Sequence, residues 1–236
     1  MSKKVLNQNT KYTHELIDAI EPDFIFSSKP IKRLKNIEED NKNKGEKLEV
    51  LKNQINSIKN CNLKKLSNSM VFGAGNINSP VMIVGEAPGE KEETSNLPFQ
   101  GDVGILLEKM LLAINIKKEK IYLSYSINFR LPEDRKPTSL EIKRYSVFLK
   151  EHISIINPEI VILMGSTAME AVTGLTSRIS SERGKWKEII LRNKTFPLMI
   201  TFSPSYLLRF PENKKYSWED LKKIRQKLKD LNISFQ

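Results

Sequence analysis

Apolar positions along this chain alternate between two rhythms. Pro80-Val-Met-Ile-Val84, Ile121–Ile127, Ile160–Met164 and Leu198–Phe202 are short runs without a charged residue. Such runs read as strands buried on both faces. Between them, apolar residues recur every three or four positions. Leu48, Leu51, Ile55 and Ile58 predict a helix over 46–60, and Ile105, Leu106, Met110, Leu111 and Ile114 predict one over 102–115. A further helix is expected from Thr138 to Ile156, with Thr138 and Glu141 spaced as a capping box. Residues 165–173 begin a helix at a glycine, and Ser217–Leu231 closes the chain with a helix capped by Ser217. Strand alternating with helix predicts an α/β fold, a three-layer sandwich with a central four-stranded parallel sheet. Ligands of such sheets bind beyond the carboxyl ends of the strands. Four segments leave those ends, at Gly85–Gly89, Tyr125–Leu131, Gly165–Ala168 and Ser203–Arg209, and are expected to converge on one cleft.

The first 47 residues break this pattern. A short helical repeat (Tyr12, Leu16, Ile17, Ile20) ends at Glu21-Pro22, and IEEDNKNKGEK follows at 37–47. That stretch holds too little apolar surface to offset its ordering entropy, so it reads as a linker. The expected organisation is an N-terminal extension and polar linker over 1–47 and one domain over 48–236.

Composition narrows the functional classes. A chain of 236 residues suits one well-cored domain with extensions. It contains no apolar run of about 18 residues, so no membrane span is expected. Its N-terminus lacks the apolar stretch of a secretory signal, which makes the cytoplasm the default compartment. With one cysteine, Cys61, and two histidines, neither an internal disulfide nor a cysteine or histidine metal cage is expected. Net charge is +11, and residues 183–236 carry 13 Lys/Arg against 5 Asp/Glu, a surplus of 8. A basic surface of this kind attracts polyanions. No extended apolar stripe is left over for an interface, so the expected state is a monomer.

Three segments bear chemistry. Gly85-Glu86-Ala87-Pro88-Gly89 follows a buried strand, so the turn holds the Glu86 carboxylate at the rim of the sheet. Ten residues on, Pro98-Phe99-Gln100-Gly101 sets an aromatic ring before a helix start. A fixed carboxylate beside an aromatic plate suits a planar base with positive charge developing next to it. An ordinary strand–loop–helix connection is the plainer account of the same residues. In SPSYLLRFPENKK at 203–215, Tyr206 and Leu207 lie between two prolines, with Arg209, Lys214 and Lys215 nearby. Apolar wedges beside phosphate-binding cations are what extruding a base from a duplex requires. A loop anchored onto the core is the alternative. In SSERGKWKE, Arg183, Lys185 and Lys187 flank Gly184 and Trp186, a cation-plus-aromatic set suited to stacking and phosphate contact.

Five strings in one order, VGEAPGEKEE…LPFQGDVGILLEKML, FRLPEDRKPTSLEI, NPEIVILMGSTA, RGKW and PSYLLR, make residues 61–225 resemble the family 4 (thermophile-type) uracil-DNA glycosylases. The resemblance implies a DNA base-excision enzyme on a uracil-DNA glycosylase-like fold, with DNA as partner. It implies that Glu86 is the catalytic carboxylate and Phe99 the stacking ring. The base pocket is implied to include Gly85, Ala87 and Glu92. Arg183, Lys185, Pro204, Ser205, Tyr206, Leu207 and Arg209 are implied to face DNA. Glu90, Glu92 and Glu93 keep the acidic run after the turn.

The departures fall in the same pocket. The family's base-reading asparagine aligns with Tyr125 and its histidine with Ser203. A phenol offers one hydroxyl where an amide both donates and accepts, and a serine cannot carry charge as an imidazolium can. A positioned catalytic hydrogen bond is worth on the order of 2–4 kcal/mol. A shift of one residue would bring Ser124 or Ser126 into the pocket instead, and Asn128 is a further candidate. Members of the family that carry an iron–sulfur cluster use four cysteines. Here Cys61 fills one such place and the others fall on Ile58, Phe129 and Tyr145, so no cofactor is expected. A catalytically impaired DNA-binding or lesion-recognition module on the same fold is the runner-up. A module that engages replication or repair proteins, tethered through residues 1–47, comes third.

Overall fold

The four apolar runs pair side by side in the computed structural model, which describes residues 37–58 and 62–235. In chain order the elements are α1 (Ile37–Asn56), α2 (Asn62–Leu66), β1 (Gly73–Gly75), β2 (Val81–Gly85), α3 (Glu90–Ser95), α4 (Gly101–Leu112), β3 (Tyr122–Tyr125), α5 (Ser139–Ile156), β4 (Ile160–Met164), α6 (Ser166–Thr173), α7 (Ile179–Glu182), β5 (Trp186–Leu191), β6 (Lys194–Thr201), α8 (Pro204–Arg209) and α9 (Lys214–Asp230). The sheet order is β1-β3-β2-β4-β6-β5. The central four strands are parallel, as the apolar runs imply. Two antiparallel edge strands, β1 and β5, extend the expected four-stranded sheet to six.

Neither edge strand has a pattern that distinguishes it from a loop. The β1 strand is Gly-Ala-Gly and offers no alternation. β5 is a half-covered edge whose Ile190 is 73% exposed, and a two-residue turn at Arg192-Asn193 folds it back on β6.

Alternation along each central strand divides the core into two apolar clusters. Met82, Val84, Val161 and Leu163 face one side, where α1, α5 and α6 pack. Ile83, Ile160, Ile162 and Met164 face the other, against α4, α8 and α9. This is the three-layer sandwich, and the described residues form one compact unit.

Helix ends follow local chemistry. Thr138 and Glu141 form the expected capping box: the Glu141 N–H donates to Thr138 Oγ1 at 3.2 Å, and the Thr138 N–H to Glu141 Oε2 at 2.8 Å. Two expectations need correction. Residues 37–47, read as a linker, are the first half of α1, and Leu48, Leu51 and Ile55 bury its far half in the core. Ser217 does not cap the last helix. That helix starts at Lys214, continuing from a turn led by Pro211, and Ser217 is buried inside it with its hydroxyl unpartnered. The helix read over residues 12–20, and Cys61, lie outside the described residues. No described helix is long and apolar enough to cross a membrane.

Candidate active site

Beyond the carboxyl ends of β2, β3, β4 and β6 lies a cavity of about 340 Å³. Gly85, Glu86, Ala87, Glu92, Phe99, Tyr125, Thr167, Ser203, Pro204, Ser205 and Arg209 are among its lining residues. The four segments expected to meet there do so.

Glu86 is the first residue after β2. Its Oε1 accepts the Thr167 N–H at 3.1 Å and the Ser166 hydroxyl at 3.3 Å. Both donors sit in the first turn of α6, where the free N–H groups and helix dipole favour an anion. Gly165 makes the approach possible. It has φ +107°, and a Cβ there would lie 2.2 Å from the Glu86 side chain. The sequence motif points to this carboxylate, but nothing in it points to the glycine that gives it room.

Opposite Glu86, Phe99 and Tyr125 form a closed stack. Their ring centroids are 4.9 Å apart at 29°, and the rings are 2% and 4% exposed. The Phe99 N–H donates to the Tyr125 hydroxyl at 3.0 Å, and that hydroxyl donates toward Glu92 Oε1 at 3.4 Å. Burial, with the Glu92 charge beside it, pushes the phenol pKa well above its ordinary value, so the proton stays on oxygen. Glu92 organises the turn: its carboxylate also accepts the backbone N–H groups of Gly89 (3.1 Å) and Gln100 (2.9 Å). Phe99 has a left-handed backbone, φ 54°, a costly conformation for a bulky residue. Its carbonyl accepts from Lys118 Nζ at 3.0 Å.

The other acidic residues divide by role. Glu90 is exposed. Glu93 is buried and accepts from the Ser67 hydroxyl and the Asn68 N–H, tying the segment before β1 to α3. Burial opposes ionisation there, but these bonds and Arg130 hold the carboxyl below its usual range.

The remaining candidates are unevenly placed. Ser203 caps α8: its Oγ accepts the Tyr206 N–H at 3.3 Å and lies 3.1 Å from Ser205 Oγ. Ser124, Ser126 and Asn128 do not line the cavity. Ser124 Oγ donates to the Phe72 carbonyl, Ser126 Oγ to that of Gly85, and the Asn128 amide to those of Val71 and Phe72. Among the described residues no asparagine or glutamine lines the cavity.

Two residues read as facing DNA point elsewhere. Leu207 is 1% exposed and belongs to the core, because α8 turns that side chain inward; its neighbour Leu208 is 39% exposed. Arg183 is paired with the fully buried Asp220, Nε to Oδ2 at 3.0 Å, and Asp220 also accepts from Thr201 Oγ1 at 2.7 Å. The arginine thus fastens α9 to the segment before β5, and Thr201 fastens it to the end of β6. Lys185 is exposed, and Trp186 opens β5. Arg135, Lys136 and Pro137 also line the cavity, and the sequence motifs do not single them out. The FRLPEDRKPTSLEI string contained them, yet nothing in it separates a mouth cation from a surface one. Arg135 is committed to Glu141 at 2.7 Å.

The uracil DNA glycosylase superfamily model matches residues 72–228. The chain belongs to that superfamily. It is 33% identical over 187 residues to a type-4 uracil-DNA glycosylase of Thermotoga maritima, covering 78% of this chain and 96% of that protein. It is 30% identical over 183 residues to one of Archaeoglobus fulgidus, covering 76% and 92%. A 160-residue stretch, 67% of this chain, is 30% identical to part of a DNA polymerase of Bacillus phage SP01, covering 17% of that protein.

The described side chains at the positions that the family resemblance equates with cluster cysteines do not fit a cluster. Phe129 and Tyr145 are buried edge to face at 6.3 Å, with Ile58 packed against the same apolar cluster. These side chains offer no thiolate, and the rings fill the space between them. No group of His, Cys, Asp and Glu suited to a metal occurs among the described residues.

Proposed function

We propose that this protein is a DNA glycosylase that hydrolyses the N-glycosidic bond of uracil, or of a related damaged base, after flipping it out of the DNA. The observation that carries this reading is the Glu86 carboxylate, fixed by the first turn of α6 at the wall of a cavity of about 340 Å³. In the reaction the C1′–N bond breaks, the pair leaves with the base, and positive charge gathers on the sugar. Water adds at C1′ and its proton ends on the departing base or in solvent. A fixed anion beside the sugar lowers the energy of that oxocarbenium-like state. It also orients the attacking water.

The mouth supplies the DNA contacts. Pro204, Ser205, Arg209 and Lys136 line it, and exposed Leu208 and Phe210 stand beside them. Arg209 and Lys136 suit phosphates, while Leu208 and Phe210 suit the gap left by an extruded base. The reading requires no cofactor. It extends to a monomeric cytoplasmic enzyme whose N-terminal extension engages replication or repair proteins. The likeness to part of a phage DNA polymerase supports that setting.

The test is excision from end-labelled uracil-containing DNA, single- and double-stranded, followed by alkaline cleavage of abasic sites. Product from the wild type that falls by about a hundredfold or more in Glu86→Gln is expected. DNA binding without product would overturn the reading.

A further inference from the structure

Phe99 and Tyr125 are the only aromatic rings among the described residues that line the cavity, and they are spent on each other. A base stacked on an aromatic ring lies with its centroid about 4.5–7 Å away. The Tyr125 ring already occupies that position at 4.9 Å, and with Phe99 only 2% exposed neither of its faces is open. We infer that Tyr125 is the specificity-determining residue of this site: its ring stands where a flipped base would stack on Phe99, and a base enters only once that ring swings out.

The geometry says which partner must move. Phe99 has its backbone held on both sides of its Cα, the N–H on the Tyr125 hydroxyl and the carbonyl on Lys118. The floor beneath the rings is Gly85, where a Cβ would lie 2.6 Å from Tyr125 and 2.7 Å from Phe99. The Phe99 backbone keeps its bond to Lys118 whether or not Tyr125 moves. Tyr125, the last residue of β3, is tied by its side chain only through the 3.0 Å bond from Phe99 and the longer 3.4 Å bond to Glu92. Swinging it out exposes one Phe99 face and frees the Phe99 N–H, a donor, and one acceptor position on Glu92 Oε1, which keeps its bond from the Gln100 N–H. Those two groups can replace the hydrogen bonds that an amide side chain would make to a base edge. The inference rests on the glycosylase reading for its ligand, a planar pyrimidine.

The test compares single-stranded oligonucleotides that differ at one position, uracil or a tetrahydrofuran abasic site. The abasic site needs no room on Phe99. Wild type is expected to bind the abasic strand about tenfold more tightly than the uracil strand, the value of one stacking contact. Tyr125→Ala is expected to abolish that preference and to raise uracil excision about tenfold. Tyr125→Phe keeps the ring, removes the latch and is expected to fall between, and it serves alone should the alanine variant not fold. A preference unchanged in both variants, or uracil binding weakened by Tyr125→Ala, overturns the inference. A shifted preference with no excision by any variant would leave Tyr125 as the gate and remove the glycosylase reading. Excision by wild type with an unshifted preference would do the reverse.

Discussion

Gly85 and Tyr125 are register partners on neighbouring strands, so Glu86 and Tyr125 start from almost the same place at the rim of the sheet. Their side chains meet opposite fates. The carboxylate is held from outside by the first turn of α6, with both bonds on one oxygen, and its other oxygen is available to a ligand. The phenol is held from inside by the turn it faces, and it covers the Phe99 ring. One side of the cleft presents an anchored carboxylate and the other a closed ring stack. In a site of this kind, charge stabilisation and base recognition are separable, because different elements hold them.

That separation can be broken one wall at a time. The largest effect is expected from Gly165→Ala. The new Cβ would collide with the Glu86 side chain and would require φ +107° of an alanine. A displaced carboxylate should cost about a hundredfold in uracil excision, since misplacement by an ångström has that effect. Binding to an abasic strand should be nearly unchanged, because the Tyr125 wall is untouched; gel-shift titration beside the excision assay checks both.

Acid should act on the opposite wall through His152. This residue lies behind β3, stacked on Phe72, with Nε2 2.9 Å from the Tyr122 hydroxyl and Nδ1 3.4 Å from Ser124 Oγ. Burial holds its pKa down to about 3, against an ordinary 6.5. Between those values the unfolded chain takes up a proton that the folded chain refuses. Stability from this group is therefore complete above pH 6.5 and falls as pH drops toward 3, by up to about 1.4 kcal/mol per pH unit. Urea unfolding at pH 7, 5 and 4 should show this slope, and His152→Gln should flatten it. The smallest effect is expected from Ser203→Ala, which removes the cap of α8 and should lower stability by about 1 kcal/mol in the same titration.

The parallel strands were legible in the chain because both faces are buried, which leaves continuous apolar runs. The capping box on α5 was legible because Thr138 and Glu141 are three residues apart. Position at a strand end pointed to Glu86, and motif order pointed to Phe99. What escaped depends on partners distant in sequence. Arg183 reads as a phosphate contact in the sequence, but Asp220, 37 residues on, pairs with it. Leu207 and Leu208 are equivalent as letters, and only the turn of α8 buries one and exposes the other. The substitution at Tyr125 was visible, but its conformation was not, since that depends on an N–H 26 residues away.

The pairing of Arg183 with Asp220 has a consequence for how DNA arrives. It buries one acidic residue of α9 against an arginine from outside the helix. Seven Lys/Arg and only Glu219 and Asp230 among the acids then remain on the rest of Lys214–Asp230. That imbalance acts over distance rather than by touch, within a screening length of about 8 Å at physiological ionic strength. Capture of the polymer should therefore slow steeply as salt is added, while residence of the bound strand, set by short contacts in the cleft, should change much less.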